Sequence, residues 1–129
     1  MDKILTEISA GELLDKISIL EIKIEKIKNT DLKKQAEKEF KILNATKEKS
    51  IKMTPEIEKL YLKLKETNLK LWKIEDEIRA CEKSLDFKES FIKLARSVYF
   101  NNDTRSSLKL SINQKLGSNI IEVKEYTKY

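Results

Sequence analysis

The sequence predicts an all-α fold, an antiparallel bundle of about four helices with a short C-terminal arm. Only two glycines and one proline occur among 129 residues, so little interrupts long helices. Charged residues make up 38% of the chain and alternate with Leu and Ile, which is typical of amphipathic helices. The apolar residues recur at spacings of three and four, the period of a helix with one buried face. We expect a single helical domain over residues 1–129, because this length is close to that of a common domain.

The first helix is predicted to begin at Ser9, where a hydroxyl can cap the helix and Glu12 completes a capping box. It continues to about Asn29, and its main core stripe comprises Leu13, Ile17, Leu20, Ile24 and Ile27. A second apolar stripe lies nearly opposite and comprises Ile8, Ile19 and Ile22, with Asp15 in its middle. A helix that is apolar on two sides needs two partners. The second partner is either another helix of the chain or a second subunit, and we expect this stripe to form a homo-oligomer interface.

The remaining helices follow from their start and stop signals. The second helix is predicted to begin at Thr30 or Asp31 and to weaken at residues 44–46, before a Lys-rich connection over residues 47–53. Thr54 and Pro55 are a strong start for a long third helix over residues 54–84. The fourth helix is expected over about 86–116, with a kink or a break at residues 101–104, and Gly117 is a natural C-terminal cap. Residues 118–129 form the tail, either a short strand or an extended arm.

Composition and charge limit the functions that the chain can have. The net charge of +5 is modest, and the Lys-rich stretch over residues 23–52 contains interleaved acids, whereas a nucleic-acid surface is normally more basic and more clustered. We therefore favour a solvated helix face there and keep nucleic-acid binding through the second helix as an alternative. The chain has no His and one Cys, which excludes a zinc site, a disulfide within one chain, and Ser/His or Cys/His catalysis.

Localisation is predicted from what the N-terminus and the apolar runs contain. Acidic residues occupy the N-terminal stretch where a signal peptide needs an apolar run. No apolar run approaches the ~20 residues that a membrane-spanning helix requires. We expect a cytoplasmic protein without a membrane span.

Several polar residues fall on helix positions that point toward or beside the core. In the third helix they form a stripe at the core margin that includes Asn68 and Glu82, and on the fourth helix they fall on the core face itself. Because the third and fourth helices should be antiparallel neighbours, residues 72–79 should lie opposite about 93–100. We therefore expect eight residues to gather at one level of the bundle: Glu21, Trp72, Glu75, Asp76, Arg79, Tyr99, Asn102 and Arg105.

This predicted cluster has four interpretations. The one we favour is a buried network of ion pairs and hydrogen bonds that fixes the register of the helices. The second is a pocket for a small anionic or polar ligand, with Arg79 and Arg105 as forked donors and Trp72 or Tyr99 as a stacking wall. The two weakest are a Mg²⁺ site at Glu75 and Asp76 and an interface with a partner. No other metal ligand or cofactor is indicated, and catalytic residues cannot be named.

Three segments carry a family resemblance: GELLDKISILEIKIEKI (residues 11–27), NLKLWKIEDEIRACE (68–82) and FIKLARSVYFNNDTR (91–105). They resemble an uncharacterised bacterial family known only as a domain of unknown function, similar segments of which accompany glycosyltransferase-type proteins in surface-polysaccharide settings. The resemblance implies no established activity. A second uncharacterised helical family is similar in two of these segments, but it has Arg where this chain has Lys16.

The function that these observations favour is a helical binding or interaction module that self-associates, and we favour this over an enzyme. One alternative is a Mg²⁺-dependent enzyme or accessory factor that acts on a nucleotide or a nucleotide-sugar, with acids on the metal and arginines on phosphate. The other alternative is nucleic-acid binding through the second helix.

Overall fold

A computed structural model describes all 129 residues and confirms the all-α fold. It contains four helices and no strand: α1 (Ala10–Lys26), α2 (Thr30–Ser50), α3 (Pro55–Ser84) and α4 (Glu89–Leu116). The N-terminal segment before α1 and the arm after α4 contain no regular secondary structure. None of the four helices is both long and apolar enough to cross a membrane.

The predicted helix starts are confirmed by their capping hydrogen bonds. The backbone N–H of Glu12 donates to Ser9 Oγ at 3.2 Å, but the Glu12 carboxylate pairs with Lys109 and does not complete the predicted capping box. The N–H of Ile57 donates to Thr54 Oγ1 at 3.3 Å, and Pro55 occupies the first position of α3. These hydroxyls satisfy backbone donors that the first turn of a helix leaves without a helical partner.

Two predicted interruptions are absent. The second helix does not weaken at residues 44–46 but continues to Ser50. The fourth helix is continuous through residues 101–104. There the Asn101 side chain donates to the carbonyl of Ser97 at 2.8 Å, and the Thr104 hydroxyl donates to the carbonyl of Phe100 at 3.3 Å. These side chains bond back to their own helix, so they do not compete with the helical backbone.

The hydrophobic core lies where α1 crosses the hairpin of α3 and α4. α1 is the one helix that packs against all three others. The core cluster comprises Leu13, Leu14, Ile17, Ile57, Tyr61, Leu64 and Ile112. It therefore draws on the first part of α3 and the last part of α4, while α2 packs on the outside of α1.

The rest of the α3–α4 hairpin extends beyond this core, and we call residues 69–101 the distal hairpin. No hydrogen bond or ion pair joins it to α1 or α2. Its tip exposes large apolar side chains, with Leu85 73% and Phe87 48% accessible to solvent. Leu85 also has a φ of 55°, in the left-handed region that ends a helix.

Candidate functional site

A buried carboxylate connects three of the four helices. Asp15 in α1 is 1% exposed. Arg105 in α4 donates from Nε to Asp15 Oδ1 at 2.9 Å and from Nη2 to Oδ2. Asn68 in α3 donates from Nδ2 to Oδ1 at 2.9 Å. The ionised carboxylate is therefore held by a two-pronged guanidinium and an amide, the geometry in which a buried charge is tolerated.

Ser18 completes the contacts around this carboxylate. Its hydroxyl accepts a hydrogen bond from Asn68 Nδ2 at 2.8 Å and donates to the backbone carbonyl of Asp15 at 2.7 Å. No buried side-chain nitrogen or oxygen in the chain is without a hydrogen-bond partner. The network is therefore closed, and a closed polar network inside a core specifies one arrangement of the helices.

The electrostatics of Asp15 keep it ionised. Burial alone raises the pKa of a carboxyl group. Here the hydrogen bonds from Arg105 and Asn68, together with the charges of Arg105 and Lys109, outweigh burial and hold the pKa of Asp15 below its ordinary value. In return, the hydrogen bond to Asp15 raises the pKa of Arg105.

Lys109 links this network to the C-terminal arm. Its Nζ lies 2.7 Å from Glu12 Oε2, 3.0 Å from Glu122 Oε2 and 3.9 Å from Asp15 Oδ2, and the residue is 8% exposed. Burial lowers the pKa of this ammonium, but the hydrogen bonds to Glu12 and Glu122 outweigh that effect and raise it. The same contact lowers the pKa of Glu122. The arm is therefore attached to α4 by a half-buried ion pair.

The start of α1 approaches α4 so closely that it requires a glycine. The backbone N–H of Gly11 donates to Asn113 Oδ1 at 2.6 Å. A Cβ at this position would lie 2.6 Å from the carbonyl oxygen of Lys109. α1 thus contacts α4 through its first half, and Glu21 near its end contacts α3. It runs diagonally across the hairpin.

Glu21 lies apart from this network. It accepts hydrogen bonds from the Tyr61 hydroxyl and from Lys65 Nζ, the latter at 2.9 Å. Burial and the hydrogen bond to Glu21 raise the pKa of Tyr61. The hydrogen bond to Glu21 also raises the pKa of Lys65. This second polar contact joins α1 to α3 alone.

The other predicted residues of α3 lie on the distal hairpin, away from α1. Trp72 is half-buried there, and Glu75, Asp76 and Arg79 are exposed. Arg79 pairs with Glu75 one turn earlier in the same helix. No three His, Cys, Asp or Glu residues lie close enough together to hold a metal ion. The eight predicted residues therefore divide among three places, because α1 crosses α3 at Asn68 and not at residues 72–79.

The second apolar stripe of α1 is partly covered by the same chain. Asp15 and Ile22 are each 1% exposed, which leaves them unavailable to another subunit. Of the four predicted interface residues, solvent reaches Ile8, which is 38% exposed, and Ile19, which is half-buried. The buried part of this stripe packs within the chain, because α3 and α4 supply the hydrogen-bond partners of Asp15. Homo-oligomerisation stays a prediction that rests on Ile8 and Ile19.

A groove of about 770 Å³ separates α4 from the C-terminal arm. Its lining includes Tyr99, Asn102, Asp103, Ser106, Lys124, Tyr126, Thr127 and Tyr129. The rings of Tyr99 and Tyr129 meet edge to face, with their centroids 5.5 Å apart. The Tyr129 hydroxyl donates to Asp103, which raises the pKa of Tyr129 to about 12. Two predicted site residues, Tyr99 and Asn102, therefore line an open groove.

The groove is connected to the buried network through Arg105. Its Nη1 donates to Asn102 Oδ1 at 3.4 Å, while its other nitrogens hold Asp15. Arg105 thus lies beneath the groove as a positioning residue for Asn102. Of the eight predicted residues, Tyr99, Asn102 and Arg105 are brought together.

Sequence reasoning missed Lys109 and Glu122, and it placed Asn113 near the core face of the fourth helix without assigning it a contact. A signal for the first existed, because Lys109 follows Arg105 by one helical turn and so shares its inward face. Asn113 is one turn further along, beside the same face. No pattern indicated Glu122, since the arm has no helical period that could assign its side chains to a face.

Comparison with known proteins supports the resemblance to a domain of unknown function. We found no match to this chain among curated proteins or solved structures. One family model covers almost its whole length. The chain belongs to the family described as "Family of unknown function (DUF6165)", whose model matches residues 4–129.

Proposed function

We propose that the protein is a binding module that holds a small polar ligand with a ring in the groove between α4 and the C-terminal arm. The observation that carries the proposal is the lining of this groove, where three tyrosine rings stand beside amide, hydroxyl and ammonium groups. Ligand sites in proteins typically combine apolar or aromatic walls with a few convergent polar groups.

The polar groups of the lining favour a ligand rich in acceptor oxygens. The Asn102 amide nitrogen and the hydroxyls of Ser106 and Thr127 have no hydrogen-bond acceptor within the chain, so these donors are free for a ligand. Lys124 adds a positive charge, although it is shared with Glu122 at 3.5 Å. Asp103 is occupied by the Tyr129 hydroxyl. Nucleotides, nucleotide-sugars and sugars combine a ring face with such acceptors.

Both walls of the groove are held in place. The α4 wall is fixed from below, because Arg105 holds Asn102 and is itself held by the buried Asp15. The arm wall is attached to α4 by the ion pair of Glu122 with Lys109 at 3.0 Å and by the hydrogen bond from Tyr129 to Asp103. A site that is ordered before the ligand arrives loses less conformational entropy on binding.

The test is a thermal-shift screen of nucleotides, nucleotide-sugars, free sugars and divalent ions against the wild type and Tyr99→Ala. A ligand raises the melting temperature only if it binds the folded state. Arg79→Ala is the control, because Arg79 is exposed on the distal hairpin and pairs only with Glu75. We expect a stabilising compound whose effect is lost in Tyr99→Ala and kept in Arg79→Ala. A screen without any stabilising compound, or one whose hit is unaffected by Tyr99→Ala, would refute the proposal.

A further inference from the structure

We infer that the groove between α1 and α2 is a docking surface for an acidic amphipathic helix of a partner protein. This groove has a volume of about 440 Å³. It lies on the other side of α1 from the buried Asp15 network, and the inference does not depend on the ligand groove beside the arm.

The floor of the α1–α2 groove is formed by two helices, as in a three-helix bundle from which the third helix is absent. Its apolar residues are Leu20, Ile27, Leu32, Ala36 and Ile42. On α2 these residues are four and six positions apart, and Leu20 of α1 and its C-cap Ile27 are seven apart. Two antiparallel helices with facing apolar stripes leave a seat for a third helix, as in bundles generally.

The apolar side of α2 at this groove has no partner within the chain. Leu32 is 58% exposed and Ile42 is 59% exposed. α2 packs along α1 and does not pack along α3 or α4, so no other helix covers these side chains. Leu32 and Ile42 lie about 15 Å apart and mark the two ends of the groove, and the α2 residues that line it between them are polar or buried.

The rim of the groove carries more positive than negative charge, which bears on the chemistry of the partner. Lys23, Lys38 and Glu39 line it, and neither lysine forms an ion pair with an acid of the chain. Ten lysines and six acids occur in residues 21–53. Two of those acids, Glu21 and Glu25, are held by Lys65 of α3. The surface around the groove therefore has uncompensated positive charge, which attracts a helix with acidic flanks.

A peptide helix fits the groove better than a nucleic acid does. The floor is aliphatic, whereas single-stranded nucleic acids are held by aromatic rings on which bases stack. No aromatic side chain lines this groove. From Leu32 to Ile42 the helix rises about 15 Å, so a helix of roughly 10–14 residues would cover the floor. Anchors at i, i+3, i+4 and i+7 are the recognition pattern of such a helix.

The experiment measures the binding of two synthetic 14-residue peptides to the full-length protein by fluorescence anisotropy. Both peptides have Leu at i, i+3, i+4, i+7 and i+11. The flanking positions are Glu in the first peptide and Lys in the second. We expect the acidic peptide to bind with a micromolar Kd and the basic peptide to bind at least tenfold more weakly, because only the acidic peptide complements the rim.

Matched protein variants locate the site. Leu32→Ser and Lys38→Glu should each weaken the binding of the acidic peptide at least fivefold. Leu62→Ser is the control, because Leu62 is also 58% exposed but lies on α3 outside the groove. Circular dichroism checks that the variants keep their helices, which we expect because Leu32 and Lys38 are exposed.

Four outcomes would overturn the inference. The first is equal binding of the acidic and basic peptides. The second is no binding of the acidic peptide at 1 mM, and the third is equal loss of binding in Leu32→Ser and Leu62→Ser. The fourth is evidence for a different occupant. Self-association that Leu32→Ser abolishes would identify a second copy of the chain as the occupant. Oligonucleotide binding that is weakened by Lys38→Glu but not by Leu32→Ser would identify a nucleic acid.

Discussion

The guanidinium of Arg105 donates two hydrogen bonds to the carboxylate of Asp15, which lies ninety residues earlier in the chain. Asn68 contributes a third hydrogen bond from α3. Because the carboxylate is almost inaccessible to water, removal of a partner leaves a buried charge that is poorly compensated. The network is therefore the place where single substitutions should have their largest effect on stability.

Arg105→Ala should lower the free energy of unfolding by about 3–5 kcal/mol, the range measured when one partner of a buried ion pair is removed. Urea denaturation monitored by circular dichroism measures the change. Arg79→Ala is the matched control, because its pair with Glu75 is exposed and such pairs contribute at most ~1 kcal/mol. Equal losses in the two variants would show that the Asp15 network does not stabilise the fold.

Stability should depend on pH through Asp15. Its pKa is lower in the folded chain than the ordinary value of 3.8, so its contribution is complete above pH 3.8 and is lost as the pH falls through the folded pKa. We expect the stability difference between wild type and Asp15→Asn to be constant from neutral pH down to about pH 5 and to shrink below about pH 4. Urea denaturation across this range measures it. Asp76→Asn, an exposed acid outside any ion pair, should show no such difference. A difference that grows at low pH would contradict the assignment.

Gly11→Ala should destabilise the fold although Ala favours helices. The new Cβ would lie 2.6 Å from the Lys109 carbonyl oxygen and 2.9 Å from Asn113 Oδ1, so α1 has to move away from α4. Overpacking of this kind costs about 1–3 kcal/mol, which exceeds the gain of up to ~1 kcal/mol in helix propensity. Thermal denaturation shows whether the substitution stabilises or destabilises the chain. An increase in melting temperature would refute the close approach of α1 to α4.

Gly117→Ala should destabilise the chain for a different reason. Space around Gly117 is open, but its φ of 64° is in the left-handed region, which costs a residue with a Cβ about 1–2 kcal/mol. Gly117→Asn should recover part of this loss, since Asn tolerates that conformation better than Ala. Thermal denaturation of both variants distinguishes the two effects. If Asn is no better than Ala at residue 117, backbone conformation is not the cause.

Glu122→Gln should loosen the C-terminal arm and leave the helices intact. The substitution removes the charge that pairs with Lys109 at 3.0 Å. Because Glu122 is partly exposed, we expect a stability loss below ~1 kcal/mol. Limited proteolysis should cleave residues 118–129 faster than in the wild type and leave α1 and α3 intact. Glu125→Gln, an exposed acid of the arm outside any ion pair, serves as the control. Unchanged cleavage of the arm in Glu122→Gln would show that Lys109 does not hold it.

The sequence predicted most of the fold because helix periods and caps are local. Ser9, Thr54 and Gly117 end or begin helices through contacts with residues only a few positions away. The fourth helix is not broken at residues 101–104, where the sequence left a kink or a break open, because polar side chains can also bond to the carbonyl one turn earlier. Periodicity alone does not show whether such a side chain bonds back to its own helix or interrupts it.

The candidate site was less predictable because it depends on where along α3 the first helix crosses. Helical spacing placed Asp15 on the second apolar stripe of the first helix and Arg105 on the core face of the fourth. It did not show that they face one another, since this depends on the diagonal path of α1 and the tight contact at Gly11. Trp72, Glu75 and Arg79 share the margin of the α3 core stripe, but they lie beyond the end of the part of the hairpin that α1 covers.

The ninety-residue separation of Asp15 and Arg105 also determines the order in which this chain can complete its fold during synthesis. When α1 and α2 leave the ribosome, no guanidinium exists that could compensate the Asp15 carboxylate, and Asn68 follows only with α3. Burial of α1 must therefore wait until most of the chain has been made. During that interval the face of α1 that packs against α3 and α4 remains available to chaperones or to other nascent chains.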